Sequence, residues 1–572
     1  MLPAAFDRAD AIRRLEDTAF DVVIVGGGIT GVGCALDAAS RGLRTALVER
    51  DDFASGTSSK SSKLVHGGLR YLQQGEIGLV YEALAERQRL RKNAPHLVKI
   101  LPFLIPIFTG KDGVISKKLS RAMGSAMWMY DLTGGARIGK LHKRISVDEA
   151  MAHMPTLPRE RLASSYLYYD AQADDARLTL AVARTAAIDH GAVLVNRAEV
   201  VGMLRSTPGD DAPVTGLTVR VTEGTSTRDV TVRASAVINA AGVWADDVRA
   251  LDEGTNPDSI RPAKGIHITV PWSKVRNDIA VVVPVPKDKR SVFVVPWGKF
   301  TYVGTTDTDY DGPVDDPQCT PEDIEYVLRA LNFSVSGGIT EHDILGTWAG
   351  LRPLVKSAGS GKTADLSRKH KVVHSRGGVV TVTGGKLTTY REMAADTVDH
   401  VLAHVLDAGV AARVAKRSRT RTMALRGADG YAELDAAAGA VSRVLDTAAV
   451  RHLASRYGGE AHTVIAMVER DRSLGEPLVE GLPYLRAEAL YAARYEMAVT
   501  LDDVLTRRTR ARLLLRDATA AAAPEVARLL AHELDWDGAR QADEVEQYRR
   551  AITLERTTPN LPETALSASL GA

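Results

Sequence analysis

The apolar pattern that organises the chain begins at Phe20, Val22, Val23, Ile24 and Val25, a nearly unbroken run rich in β-branched residues that suits a strand buried in a parallel sheet. It stops at glycine. Gly26, Gly28 and Gly31 have the Gly-x-Gly-x-x-Gly spacing: the first permits a tight turn, the second lets a pyrophosphate touch backbone, and the third lets the next helix lie close to the sheet. The helix reads through Ala35, Leu36, Ala38 and Ala39, with Gly42 as its left-handed cap. Residues 43–48 form a second strand ending at Glu49, a carboxylate placed to accept both hydroxyls of an adenosine ribose. Strand, turn, helix, cap, strand and acid in this order predict a dinucleotide-binding unit.

Further along, Leu79, Ala83, Leu84 and Leu90 alternate with charged residues at helical spacing, predicting a helix over residues 77–93 ended by Pro95. Residues 97–108 are apolar but hold Lys99, Pro102 and Pro106; they are too short to span a bilayer, though such a segment can lie on one. Ile115, Leu119, Met123, Met127 and Tyr130 then share one helical face, with Lys111, Lys117, Lys118 and Arg121 elsewhere. That basic amphipathic stretch fits the surface of an anionic membrane, or equally a helix packing its methionines into a core. Asp174 and Asp175 suit the start of a helix that runs to about residue 190. Residues 192–201 read as a strand, 202–232 as a β-meander, 236–240 as a strand entering a small-residue turn, and 261–343 as strand-rich. Residues 379–383 are a strand, and a helix starts at the glycines Gly384 and Gly385. Residues 407–424 are basic and alanine-rich and predict a linker, helical periods dominate 432–552, and the stretch after 557 reads as a loose tail.

Length changes this picture only by dividing it: 572 residues exceed one core and predict two or three domains. Charge is almost balanced, 73 basic against 71 acidic residues, which gives no ground for nucleic-acid binding. Two cysteines, Cys34 and Cys319, exclude a disulfide framework and make the reducing cytosol the default compartment. No metal-ligand spacing occurs among the 14 histidines.

Residues 57–72, Thr-Ser-Ser-Lys-Ser-Ser-Lys-Leu-Val-His-Gly-Gly-Leu-Arg-Tyr-Leu, closely resemble the flavin-facing segment of FAD-dependent (aerobic-type) glycerol-3-phosphate dehydrogenases, and the resemblance extends from Asp21 to at least Arg512. It implies an α/β fold: a Rossmann-like FAD-binding domain (18–80, 160–262 and 345–406), an α+β substrate or cap domain on an antiparallel sheet (81–159 and 263–344), and a helical C-terminal domain (420–556). FAD contacts are then expected from Gly26, Gly28, Gly31, Glu49, Thr57, Ser58, Ser62, Lys63, Leu64, His66, Val200, Ala241, Gly242, Gly350, Gly385, Lys386, Leu387 and Thr388.

Taking hydride from an alcohol carbon requires a base for the hydroxyl proton and groups that orient the substrate. A phosphorylated substrate calls for Arg or Lys at close range. Arg70, Arg352 and Lys386 stand at motif ends; each alone reads as well as a surface charge, and the resemblance places all three in the substrate pocket with Tyr71. His66 and His267 both qualify as the base, and the sequence does not choose between them. The implied reaction is oxidation of sn-glycerol 3-phosphate to dihydroxyacetone phosphate by hydride transfer to flavin in glycerol catabolism, with electrons passed to a membrane quinone. The resemblance further implies a cytoplasmic homodimer with peripheral contact to the cytoplasmic face of the membrane. Alternatives are an α-glycerophosphate oxidase that uses oxygen, an amino-acid oxidase of the same superfamily, and a non-catalytic flavoprotein or membrane scaffold.

Overall fold

A computed structural model describes residues 6–68, 76–108, 127–132, 134, 138–288, 290–356 and 369–564. Two large sheets share the chain. In the first, strand Ala19–Val25 lies between Ser226–Asn239 and Thr45–Val48, all parallel, and Val380–Thr383 and Val193–Val195 extend it on either side. Helix Ile29–Arg41 covers one face, packed against helix Tyr390–His404. The central strand has six of its seven residues buried, as its apolar run requires. The meander is present as Ala198–Arg205, Val214–Glu223 and the first half of Ser226–Asn239.

The second sheet is mainly antiparallel, ordered from Thr308–Asp309 through Ile260–Pro271, Phe300–Gly304, Ser291–Trp297, Ala280–Pro284, Lys99–Phe108 and Leu162–Gln172 to Leu64–Val65. Gly346–Val355 pairs along Ile260–Pro271. Leu162–Gln172 and Gly346–Val355, expected in the cofactor unit, therefore hydrogen-bond within this sheet, and Leu64–Val65 joins it directly from residues 57–68.

Residues 97–108 are corrected by the structure: they form the interior strand Lys99–Phe108, flanked by Leu162–Gln172 and Ala280–Pro284, not an element lying on a membrane. Pro102 and Pro106 are four apart, so both imino nitrogens face the same edge, and the strand loses donors on one side only. The basic segment 111–126 lies outside the described residues; Met127 and Tyr130, which continue its apolar face, are buried against the second sheet. The linker is also corrected. Residues 407–424 are strapped to the first domain, where Ala415 N donates to Arg41 O at 3.0 Å and Arg413 pairs with Asp21 at 2.6 Å. The tail packs as far as residue 564, with Leu561 buried in the second core. Helices from Thr447–Tyr457 to Gly538–Thr557 make up the C-terminal region. Among the described residues, no helix is long and apolar enough to cross a membrane.

Candidate active site

A cavity of about 670 Å³ runs between the two sheets, a size usual for ligand sites. At the end of the first strand Gly26 has φ +109°, and a side chain there would meet the Ala240 carbonyl oxygen at 2.7 Å. A Cβ on Gly31 would stand 1.9 Å from the Gly26 oxygen, so this glycine acts by letting helix and strand touch and does not itself line the cavity. Gly28 precedes the helix, and the Ser58 hydroxyl accepts from Ile29 N at 2.8 Å, completing a polar, donor-rich helix start of the kind that holds phosphate.

Glu49 accepts from Gly27 N at 2.6 Å and Asp51 N at 2.8 Å. Burial pushes its carboxyl up to about 7 with help from Asp51 and Asp52, and against the two N–H groups. Val200, Ala241 and Gly242 line the same end. Arg50 and Trp244, which carry no signal in the sequence, also border it; both donate to Asp315 at 2.8 Å, with the guanidinium over the indole.

The opposite end is built on the second sheet. His267 lies in register with Trp348 on one side and Gly304 on the other, so all three share a face. The imidazole stacks on Trp348 at 4.7 Å, and a Cβ on Gly304 would come within 2.3 Å of it, so the glycine makes its room. Its Nε2 is 2.9 Å from the Ser62 hydroxyl, while Nδ1 is buried with no hydrogen-bond partner among the described residues. Two residues along the same face, the Arg352 guanidinium sits over Gly265 and is held by Thr305 Oγ1 at 3.2 Å, Thr306 O at 3.1 Å and Asp307 at 3.2 Å. Gly350 lets the Lys60 backbone approach, since a Cβ there would meet the Lys60 oxygen at 2.6 Å.

His66 follows the strand Leu64–Val65, beside the turn that carries Lys386, with its peptide N–H donating to Thr388 Oγ1 at 3.2 Å. Leu387–Thr389 is a single 3-10 turn that leads into helix Tyr390–His404. Burial lowers the pKa of both imidazoles, and neighbouring cations lower it further: Lys386 and Arg87 for His66, against the opposing pull of Asp170, and Lys63 and Arg352 for His267. Each is thus a neutral ring beside a positive side chain.

The cavity thus collects His66, His267, Arg352 and Lys386, together with Gly26, Gly28, Glu49, Thr57, Ser58, Ser62, Leu64, Val200, Ala241, Gly242, Gly350, Gly385, Leu387 and Thr388. Arg70 and Tyr71 lie outside the described residues. Lys63 departs from its expected place: its ammonium is turned inward to Asp175 at 3.2 Å and to Ser59 O at 3.0 Å, beneath the Trp348 ring. Lys60 was the missed lysine of that run; it lines the cavity, and burial lowers its pKa. Thr305, directly after the strand ending at Gly304, also lines the cavity and was not among the expected residues. Among the described residues no cluster could hold a metal ion.

Residues 21–391 match the model of the FAD dependent oxidoreductase family, and residues 418–541 match the C-terminal domain of alpha-glycerophosphate oxidase. A protein of Mycobacterium tuberculosis named glycerol-3-phosphate dehydrogenase 2 is 42% identical over 560 residues, covering 97% of this chain and 92% of that one. The human mitochondrial glycerol-3-phosphate dehydrogenase is 36% identical, covering 96% of this chain and 75% of its own. The crystal structure of the glycerol-3-phosphate dehydrogenase from Bacillus halodurans, complexed with FAD, superposes with a TM-score of 0.75 at 29% identity, covering 96% of this chain and 98% of that one.

Proposed function

The chain belongs to the FAD-dependent oxidoreductases, among the relatives named glycerol-3-phosphate dehydrogenase, and on that footing we propose that it oxidises the middle hydroxyl of sn-glycerol 3-phosphate to give dihydroxyacetone phosphate. The cavity residues fit FAD: Gly26 and Gly31 leave no room for a Cβ and so hold the turn and helix together, the helix start offers N–H groups to a pyrophosphate, and Glu49 stands at the second strand end for a ribose. Gly26, Gly28, Ser58, Glu49 and Val200 would hold its nucleotide half, and Ser62, Leu64, Gly385 and Thr388 its flavin half. When bound, FAD supplies the two-electron acceptor for hydride from the substrate carbon.

One observation carries the reading: two cations, Arg352 and Lys386, and two neutral imidazoles share one cavity with the nucleotide cradle. Arg352, fixed by three protein oxygens, presents a fork suited to phosphate, and Lys386 adds a point charge. His66 and His267 are the groups proposed to accept the hydroxyl proton, since burial and nearby cations keep both rings neutral, each with one ring nitrogen unprotonated.

A membrane quinone completes the reading as electron acceptor in glycerol catabolism, at the cytoplasmic face. What supports a membrane contact is the exposed Trp128, Met129 and Leu132, large apolar side chains on residues 127–132. The test is steady-state turnover of the FAD-loaded protein. Glycerol 3-phosphate with a quinone analogue, without oxygen, is expected to turn over faster than peroxide forms in air, with dihydroxyacetone phosphate as product. Peroxide-dominated turnover would transfer the reading to an oxidase, and turnover of amino acids alone would reject the substrate.

A further inference from the structure

Behind His66, away from the cavity, lies a buried charged network that the reaction as described does not use. Leu64 pairs with Gln172 and Val65 with Ala171, so continuing the antiparallel register sets His66 opposite Asp170. Asp170 is 1% exposed. It accepts from Arg87 Nη1 at 2.5 Å and from the Tyr130 hydroxyl at 2.7 and 2.8 Å. The peptide N–H of Gly67, immediately after His66, points into this pair, 3.1 Å from Tyr130 Oη and 3.4 Å from Asp170 Oδ1. No side chain fits at Gly67, where a Cβ would meet Leu84 at 2.6 Å and Tyr130 Oη at 2.7 Å, so the turn is pressed onto the network.

On its other side His66 is held by Thr388, whose hydroxyl accepts from His66 N at 3.2 Å and lies 3.4 Å from His66 O. The helix behind Thr388 is anchored by Arg391, which forms a bidentate pair with Glu86 at 2.8 and 2.9 Å. Glu86 and Arg87 are consecutive residues of helix Ile77–Asn93, both fully buried. One helix therefore grips both turns that face the flavin half of the cavity, one through each of two neighbouring charges. Removing either leaves its partner charged and buried, a costly state that makes the grip cooperative.

We propose that Asp170, with Tyr130, is a positioning residue for His66: it fixes the peptide turn that aims the imidazole into the cavity, and its carboxylate, neutralised by Arg87, sets the charge felt by that ring. This rests on the functional reading given above only for the consequence in turnover. Among the described residues, the groups facing His66 are Asp170 and Arg87 from behind, Lys386 and Thr388 from the flavin-side turn, and the Phe293 ring edge from the second sheet. Of these only Asp170 is negative, so its loss shifts the balance in one direction: the ring becomes harder to protonate.

The test uses the full-length FAD-loaded protein and two variants. In Asp170→Asn the His66 imidazole, followed by histidine-labelled NMR without substrate, should titrate at a pH lower by roughly one unit. The acid limb of the rate of anaerobic flavin bleaching by glycerol 3-phosphate should move with it. Tyr130→Phe keeps the Asp170–Arg87 pair but takes away the nearer acceptor of the Gly67 N–H, leaving only the longer contact to Asp170; it should retain FAD and bleach roughly 10- to 100-fold more slowly. If Asp170→Asn does not fold, Tyr130→Phe decides. An unchanged His66 titration in a folded Asp170→Asn, or wild-type bleaching in Tyr130→Phe, overturns the proposal. If the wild-type protein is not bleached at any pH, the substrate reading fails, and the NMR titration still judges Asp170.

Discussion

Glu49 shows how much one residue's placement decides. Its place at the second strand end, lining the cavity, was legible, because an acid closing a strand 21 residues after a glycine turn at Gly28 is a spacing that chemistry explains. Its elevated pKa was not, because burial comes from the other elements that close over it. The consequence has a definite sign. If Glu49 holds the ribose as proposed, the hydroxyls donate to its ionised form, so FAD binding would expel a proton from a carboxyl that burial pushes up to about 7. Affinity of the apoprotein for FAD is therefore expected to rise with pH up to about 7 and level off above it, and Glu49→Gln should flatten the curve. A fluorescence-quenching titration across that range checks both, and affinity falling with pH would contradict them. Lys63 is the opposite lesson: a lysine inside a flavin-facing motif looks like a ligand until Asp175, over a hundred residues away, is found beneath it.

Elements with a strong period were readable, and those defined by their partners were not. The fingerprint strand and helix follow from β-branched residues and glycine spacing alone. Strand Lys99–Phe108 does not, since an apolar run with prolines and a lysine suits several environments, and only pairing with Leu162–Gln172 and Ala280–Pro284 makes it interior. Helix Ile77–Asn93 was expected, yet nothing in its pattern separates Glu86 and Arg87 from an exposed charged face; their partners Arg391 and Asp170 come from distant chain. At this scale Gly31→Ala should be severe. Its Cβ would overlap the Gly26 carbonyl, pushing helix Ile29–Arg41 off the sheet and opening the phosphate-binding turn. Loss of copurifying FAD with a lowered melting temperature is the expected outcome, and full FAD content would contradict it.

Across the whole molecule the C-terminal helices are joined to the cofactor domain through buried charge. Asp52, three residues beyond Glu49, accepts from Arg507 at 2.7 Å and from Arg508 at 2.7 and 2.8 Å. Asp174 meets Arg510 at 2.9 Å, and Arg177 meets Glu496 at 2.7 Å. Asp52→Asn would take from Arg508 the carboxylate it pairs with, while Arg507 keeps Asp502 and Asp503, and should destabilise the protein by about 3 kcal/mol, seen as a shift of the denaturation midpoint. These pairs also set acid sensitivity. Burial pushes the Asp174 carboxyl up, but Arg510, Arg456 and Lys63 outweigh it and hold it at about 2; Glu488 is held at about 2 in the same way by His452 and Arg456. Because the folded values lie below the ordinary ones, the stability they confer is present above about pH 4 to 5 and lost as pH falls towards 2. Thermal melts should therefore be steady near neutrality and drop steeply below about pH 4, whereas a flat profile would mean the contacts contribute nothing.

The most direct measurement is anaerobic titration of the FAD-loaded protein with glycerol 3-phosphate, following the flavin absorbance, beside the Arg352→Met and Lys386→Met variants. Full bleaching of the wild-type protein by glycerol 3-phosphate but not by glycerol, with each variant needing roughly 100-fold more substrate, is the predicted result. Equal bleaching by glycerol, or variants that bleach at wild-type concentrations, would show that these cations do not hold a phosphorylated alcohol against the flavin.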